Sequence, residues 1–498
     1  MRTREFLNDV CKRIKYKPAS KPIAEELEGH IEDLKSEYIC KGYSEEIAEE
    51  KAVEQMGDAK QIGKRLNKIH RPKLDWVTLT LTLVLIFIGG GYVKLMHPEV
   101  LVGKGYLGLN DFMTAGLEYI IYILSILFCI FIYFYDYRKI CKHSNILYIL
   151  ATILNFVAYF KGSKENGNLL WGLEPFTWVS PTVITAPLYI LAFVGFINNI
   201  NKDSKIIITI SDGRKINPNI IKTIVLSCLS IIILLMINFA SGFIVTVVYL
   251  IIATTELLKR KQIKNTAILV VTSMILFSLL STSICIIPTK RMNCDDPLLS
   301  ELWVGVETPG KKRVEFVREE ILKFAKLIGK ADLSNTYYSD NTWGNLDIQR
   351  YVSMDAYFNR YEGFTFLALL ANYGWIVSLG IMAIIILLNI KLIINATKIK
   401  DTYGKLIIIG VASLYIVKVV CHLAMSLGMG IITEFTLPFI SEGEVSFLVN
   451  TICIALVLSV YRRKNINFEE PKKSKLIAKI EDFFFEEVEE DNSNECQN

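Results

Sequence analysis

The sequence predicts an all-α, polytopic membrane protein of about ten transmembrane helices, carried behind a small soluble helical domain at the N-terminus. Three observations predict it. Runs such as Ile231–Met236 and Ala383–Leu388 are apolar all round, unlike the one-sided helices of soluble proteins. Charged residues concentrate before Trp76, between Pro288 and Glu362, and after Tyr461, with long apolar stretches between them. Basic clusters follow every second apolar run. Bulk composition adds less: 52% of the 498 residues are hydrophobic and the formal charge is +5, values that alone do not separate membrane from soluble chains.

Residues 1–75 read as the helical module. Glu5–Ile14 forms a short helix that stops before Lys17-Pro18. Lys21–Cys40 forms a second, with Ile23, Leu27, Ile31, Leu34 and Tyr38 at three-to-four spacing, until Gly42 breaks it. Ser44 is placed as the N-cap of a third helix, with Glu45 and Glu46 in its first turn where acids suit the helix dipole. Ile47 at the third position rules out a full capping box. Gly57 ends that helix and Asp58 caps a fourth. The module holds no nucleophile, metal cluster or phosphate loop. The first apolar run starts only at Trp76, so no cleavable signal peptide is expected.

The expected spans are 76–96, 117–135, 145–160, 182–198, 223–238, 241–258, 266–288, 364–390, 406–432 and 445–461. Orientation follows from Lys and Arg. Arg138, Lys139 and Lys142 follow the second span; Lys202, Lys205, Arg214 and Lys215 the fourth; Lys259, Arg260 and Lys261 the sixth. Lys391, Lys398 and Lys400 follow the eighth, and Arg462, Arg463 and Lys464 the tenth. Every even-numbered exit is therefore cytoplasmic, both termini are cytoplasmic, and 289–363 is one long outward loop with an amphipathic stretch at 314–328. The tail, 462–498, carries Leu476, Ile477, Ile480, Phe483 and Phe484 before an acidic run, a pattern suited to a protein partner or a solvated end. The ten cysteines show no CxxC pair or metal-ligand spacing and read as small apolar fillers.

Two stretches resemble known families. Phe6–Cys11, Glu25–Ile31, Gly42–Glu46 and Met56–Ala59 resemble the permease prefix (HAAS-like) domain, which implies an interaction or regulatory role. The C-terminal third resembles the SEDS family of FtsW/RodA/SpoVE-like cell cycle proteins. Thr433–Ser446, TEFTLPFISEGEVS, is similar to that family's terminal TGIPLPFISYGGSS motif. Gly363–Phe366 followed by Tyr373-Gly374 is similar to its DFIF…LG, and Asp401–Leu406, Gly410 and Gly428 fall at its spacing. Weaker likenesses lie at Gly172–Pro181 and Asn238–Phe243.

The resemblance implies a ten-helix fold that polymerises glycan strands from lipid II in the bacterial cytoplasmic membrane. It also implies a single-span class B penicillin-binding protein as partner, and no nucleic acid. The acceptor sugar hydroxyl is a poor nucleophile, so a carboxylate is wanted as general base. The diphosphate leaving group calls for cations, or a divalent cation, nearby. The family's acid lies in the large outward loop. Here Thr308 takes its place in one alignment, beside Glu307 and before Pro309-Gly310; in the other it is Asp296, before Pro297. Asp296 and Glu307 are thus alternative catalytic candidates. Other family acids are replaced by Ala240, Gly363, Ala371 and Asn372. Those losses favour the alternative of a catalytically degenerate relative acting as a membrane scaffold or regulator of envelope synthesis. A lipid-linked-substrate transporter is a third reading.

Lys418 and His422 stand out on physical grounds. They lie four residues apart on one face of the ninth span, where ionisable groups are costly and face a cavity or a partner. With Ser441 they are the candidate substrate-binding residues. The bland alternative pairs Lys418 with an acid such as Glu434, Glu442 or Glu444, and leaves His422 as a neutral hydrogen-bonded core group.

Overall fold

A computed structural model describes residues 2–70, 72–96, 109–165, 168–172, 178–202, 208–209, 215–216, 218–259, 318–319, 321–329, 365–427, 436–440 and 444–464. The chain divides into two units: Met1–Leu74 with the chain from Arg462, and Asp75–Tyr461.

Four helices build the first unit: α1 (Thr3–Arg13), α2 (Lys17–Cys40), α3 (Glu45–Met56) and α4 (Ala59–His70). Phe6, Leu7, Val10 and Ile14 make the buried stripe of α1. They pack with Ile23 and Ile31 of α2, Ala52 and Val53 of α3, and Ala59 of α4. α1 lies against α4, and α2 against α3. Helix α2 begins at Lys17 and not at Lys21, because a proline is tolerated in the first turn, where its missing N–H costs nothing. Ser44 takes the N-cap position with extended backbone, but its side chain makes no capping bond. Asp58 does cap, accepting the Lys60 N–H at 2.9 Å.

The second unit holds α5 (Trp76–Met96), α6 (Leu109–Phe134), α7 (Tyr137–Lys142), α8 (Ser144–Lys161) and α9 (Thr182–Lys202). It continues with α10 (Pro218–Ile237), α11 (Phe239–Lys259), α12 (Thr365–Thr397), α13 (Thr402–Ser426) and α14 (Glu444–Arg462). Helices α8, α9, α10, α12, α13 and α14 are long and apolar enough to cross a membrane, and α5, α6 and α11 hold shorter apolar stretches. These correspond to nine of the ten expected spans; the seventh, 266–288, lies outside the described residues. The protein is an all-α, multi-pass membrane protein. Short antiparallel pairings add to the helical plan: β1 (Ser163–Glu165), β2 (Asn168–Gly172) and β3 (Trp178–Val179) between α8 and α9, then β4 (Ile208–Thr209) and β5 (Lys215–Ile216).

Helices α9 and α13 sit inside. α9 packs on α8, α10, α11 and α13, and α13 packs on α9, α11 and α12. Tyr189, Val194, Ile252, Ile408 and Tyr415 are fully buried between them. The outer helices turn apolar side chains outward instead: Ile146, Ile149, Phe156 and Phe160 on α8, and Ile221, Ile224 and Val225 on α10. So much contiguous exposed apolar surface has a natural solvent only in lipid. The seven described cysteines are free thiols, and Cys40 is exposed where a buried filler was expected.

The expected eighth span, 364–390, begins where expected but runs longer. Helix α12 runs on to Thr397, so Lys391 lies within it and not in a solvated exit. A buried carboxylate partner, Asp75, compensates the charge.

Candidate functional site

Helix α13 starts on Asp401, whose Oδ2 accepts the Gly404 N–H at 2.8 Å, an N-cap of the expected chemistry. The same oxygen accepts the Tyr137 hydroxyl at 2.9 Å, and Tyr137 stacks on Tyr403. Some twenty residues on, ~30 Å along the helix, α13 presents Lys418 and His422.

His422 is fully buried, and its Nε2 accepts the backbone N–H of Phe366 at 3.2 Å. Phe366 lies in the first turn of α12, where N–H groups have no partner within the helix. His422 therefore caps α12 from outside. A ring nitrogen that accepts carries no proton, so the imidazole is the neutral tautomer protonated at Nδ1. Lys418, one turn earlier, is half-buried. His422 looks toward the start of α12.

One turn before Lys418, Tyr415 meets the described part of the SEDS-like motif, Thr436–Ile440. Phe439 is buried with φ of +68°, a left-handed backbone rare for a bulky residue and worth about 1–3 kcal/mol of strain. Three helices brace it. Its ring meets Tyr415 of α13 and Phe447 of α14 edge to face, and its carbonyl presses on Gly89 of α5, where any Cβ would overlap it. Tyr415 is held in turn by donating to the Asn450 carbonyl at 2.9 Å.

Part of the long loop is fastened to the same end of α12. Trp375 N–H donates to Lys326 O at 3.0 Å, Ile376 N–H to Leu327 O at 2.9 Å, and Gly329 N–H to the Tyr373 carbonyl at 3.1 Å. Between them Gly374 breaks α12 with φ of +80°; a Cβ there would lie 2.5 Å from Lys326 O. Ile321 plugs into the core, as its place in the expected amphipathic stretch suggests. The segment brings Arg318, Lys323 and Lys326 with it, and both lysines are exposed.

At the other end of α12 lies a second polar cluster. Asp75 is 5% exposed and accepts from Thr78 Oγ1, Asn395 Nδ2 and, at 3.2 Å, Lys391 Nζ. It ties the start of α5 to α12. It lies twenty-odd residues along α12 from Phe366, ~35 Å away, so it braces the scaffold and does not contribute to the Lys418–His422 site.

Of the candidate residues, Lys418 and His422 share α13 with Tyr415, whose ring meets the strained turn. Asp296, Glu307 and Ser441 lie outside the described residues, as do Glu434 and Glu442. Among the described residues no group of three or more His, Cys, Asp or Glu side chains could hold a metal ion. The site as described therefore offers a cation, hydrogen-bonding groups and a preorganised backbone. Sequence reasoning missed the Phe366–His422 cap, the Gly89–Phe439 contact and Asp75. For Asp75 a signal existed: a lone acid set directly before an apolar run needs a partner.

Residues 360–466 match the model of the cell cycle protein family FtsW/RodA/SpoVE. The chain is 28% identical over 156 residues to the "Probable peptidoglycan glycosyltransferase FtsW" of Enterococcus hirae. It is 28% identical over 131 residues to the protein of the same name from Lactococcus lactis subsp. lactis strain IL1403. These stretches are 30% and 26% of this chain, and only 39% and 31% of the relatives' own lengths. In three dimensions the chain resembles a solved protein described under "Structural coordination of polymerization and crosslinking by a peptidoglycan synthase complex". The TM-score is 0.55 at 16% identity, covering 78% of this chain and 98% of that one, which is a likeness of fold. The matched region, about a fifth of the chain, holds α12, α13, the Thr436–Ile440 turn and α14, all that frames Lys418 and His422, and it is in this part that the chain is similar to the FtsW/RodA/SpoVE cell cycle proteins.

Proposed function

We propose that the protein is a peptidoglycan glycosyltransferase that polymerises lipid II at the outer face of the bacterial cytoplasmic membrane, during elongation, division or sporulation. The observation that carries this reading is the buried turn Thr436–Ile440, strained at Phe439 and braced by three helices, one of which carries Lys418 and His422. Strain maintained in a motif shared with polymerases is what a preorganised site requires. The turn and the fastened loop segment lie at the end of the bundle opposite the basic exits. With both termini in the cytoplasm, that end faces outward.

In the proposed reaction the acceptor sugar hydroxyl attacks the anomeric carbon of the donor. The new glycosidic C–O bond forms as the bond to the lipid diphosphate breaks, and the diphosphate leaves with the electron pair. The hydroxyl proton passes to a carboxylate, Asp296 or Glu307. Lys418, His422 and Ser441 bind the lipid-linked substrate. Arg318, Lys323 and Lys326, or a divalent cation, balance the developing diphosphate charge. A single-span class B penicillin-binding protein would crosslink the product, and residues 1–75 would act as a regulatory prefix.

Labelled lipid II incubated with the purified protein, with and without such a transpeptidase, tests the reading. The wild type should make glycan polymer, and either Asp296→Asn or Glu307→Gln should abolish it, since general base catalysis is worth about a hundred- to ten-thousand-fold. If both single variants and the double variant polymerise normally, the base is elsewhere. If the wild type is inactive with every partner, the degenerate scaffold takes over. One observation favours that second reading: Ala240, Ala371 and Asn372 stand at family acid positions, and Ala240 is buried at 3% exposure.

A further inference from the structure

The N-terminal unit sorts its charge by helix pair. Helices α2 and α3 together carry eleven acids and four bases. Helices α1 and α4 carry seven bases and two acids, and α4, AKQIGKRLNKIH, has no acid at all. Ala59 and Gly63 of α4 are buried and Ile62 and Leu66 half-buried, which defines its inner face. Lys60, Lys64 and Lys68, four residues apart, and Arg65 are all exposed on the other side. The Lys15 N–H donates to Asn67 Oδ1 at 2.9 Å, which sets the basic end of α1 beside the last turn of α4. Ile69 flanks the stripe and is 54% exposed.

An ordinary solvated surface intersperses both signs of charge, because a one-sign patch repels itself. This stripe also has a fixed neighbourhood. Helix α4 ends at His70, and Trp76 opens the first apolar helix. Six residues reach at most ~20 Å, so chain connectivity keeps the last turn of α4 within that distance of the first apolar helix. Basic clusters so placed are attracted to anionic headgroups, each charge near the surface being worth about fivefold in affinity.

We propose that Lys60, Lys64, Arg65 and Lys68, with Lys15, form a docking surface for the anionic headgroups of the membrane. Ile69 then meets the interface, and the acidic α2–α3 pair, repelled by the same headgroups, turns to water. That orientation leaves Ile39, Tyr43 and Ile47, exposed around the α2–α3 turn, open to the cytoplasm.

The test uses the full-length protein in nanodiscs of phosphatidylcholine alone or of phosphatidylcholine with phosphatidylglycerol. An amine-reactive reagent modifies accessible lysines, and mass spectrometry reads each site. Lys60, Lys64 and Lys68 should be modified several-fold less in the anionic discs, with the protection relieved by high salt. Lys21 of α2 and Lys41, just past its end, should be unchanged. The triple variant Lys60→Glu, Lys64→Glu, Lys68→Glu, at exposed positions that leave the core intact, should erase the lipid-dependent protection of Lys15. Equal modification in both lipids overturns the proposal. So does protection that ignores lipid charge and salt, which would mark a protein contact instead. Lipid-dependent protection of Lys15 that survives in the triple variant would place the docking surface elsewhere.

Discussion

Two ion pairs, one in each unit, show what environment does to the same chemistry. In the N-terminal unit Lys35 Nζ lies 2.6 Å from Glu45 Oε1, with the glutamate side chain 77% exposed. In the membrane unit Lys391 Nζ lies 3.2 Å from Asp75 Oδ1, with the side chains 17% and 4% exposed. The shorter contact is the one expected to cost less when broken. Water screens the first pair, and two long side chains lose rotamer freedom to hold it. The second pair is buried. Among the described residues its carboxylate accepts from Lys391, Asn395 and Thr78, so each partner depends on the others.

The largest expected effect is to break the buried pair from one side. Lys391→Ala should leave the Asp75 charge stranded and cost about 3–5 kcal/mol. Thermal unfolding of the detergent-purified protein should show a clear drop in midpoint. Lys35→Ala should leave the midpoint unchanged. The double variant Asp75→Asn, Lys391→Met removes both charges and should recover much of the loss. If Lys391→Ala and Lys35→Ala prove equally silent, the contrast between the two environments fails.

Next in size is the joint between the loop segment and α12. Gly374→Ala meets a left-handed φ and a carbonyl 2.5 Å from the new Cβ, and the strain alone is worth about 1–3 kcal/mol. Relief comes by releasing the three backbone hydrogen bonds to 326–329. Trypsin should then cut after Lys326 several-fold faster than in the wild type, while sites in α13 stay protected. An unchanged rate would mean the segment does not depend on the glycine.

Where chemistry is local, it was legible in the sequence; where it depends on distant partners, it was not. Apolar runs and basic exits announced the helices, because a residue's transfer to lipid depends on the residue itself. The amphipathic stripe of α2 and the cap at Asp58 were equally local. The kink at Gly374 needed Lys326, almost fifty residues earlier, and Asp75 needed Lys391 and Asn395, more than three hundred residues later. The partner of Lys391 is hidden for the same reason: a lysine after an apolar run reads simply as an exit until Asp75 is known to face it. In the candidate site, the odd pair Lys418 and His422 could be picked out by cost alone. What could not be read is that His422 spends its Nε2 on the first turn of α12, so that its role includes positioning a backbone.

A smaller effect sharpens the comparison with a capped helix inside the membrane unit. Asp401→Ala removes the acceptor of both Gly404 N–H and the Tyr137 hydroxyl, and should cost about 0.5–2 kcal/mol. Asp401→Asn keeps an acceptor oxygen and should lose much less. Melting midpoints of the two variants separate these outcomes. Equal losses would show that the charge of Asp401, and not its capping geometry, matters there.

The smallest effect lies on the water-exposed side. Glu49 Oε1 accepts the backbone N–H of Thr3 at 3.0 Å and its hydroxyl at 2.7 Å, which ties the start of α1 to α3. These bonds favour the ionised form and hold the carboxyl below its ordinary value. Because the folded value is the lower one, this stabilisation is present in full above the unfolded value of about 4.3 and is lost as pH falls through the folded value. The group is largely open to water, so the change is modest. Hydrogen exchange of the α1 amides in the full-length protein, corrected for its intrinsic pH dependence, should show protection falling as pH drops below ~4. Glu49→Gln should start slightly less protected at neutral pH and stay flat across the same range. A variant that loses protection in parallel with the wild type would assign the acid sensitivity to other carboxylates of the α2–α3 pair.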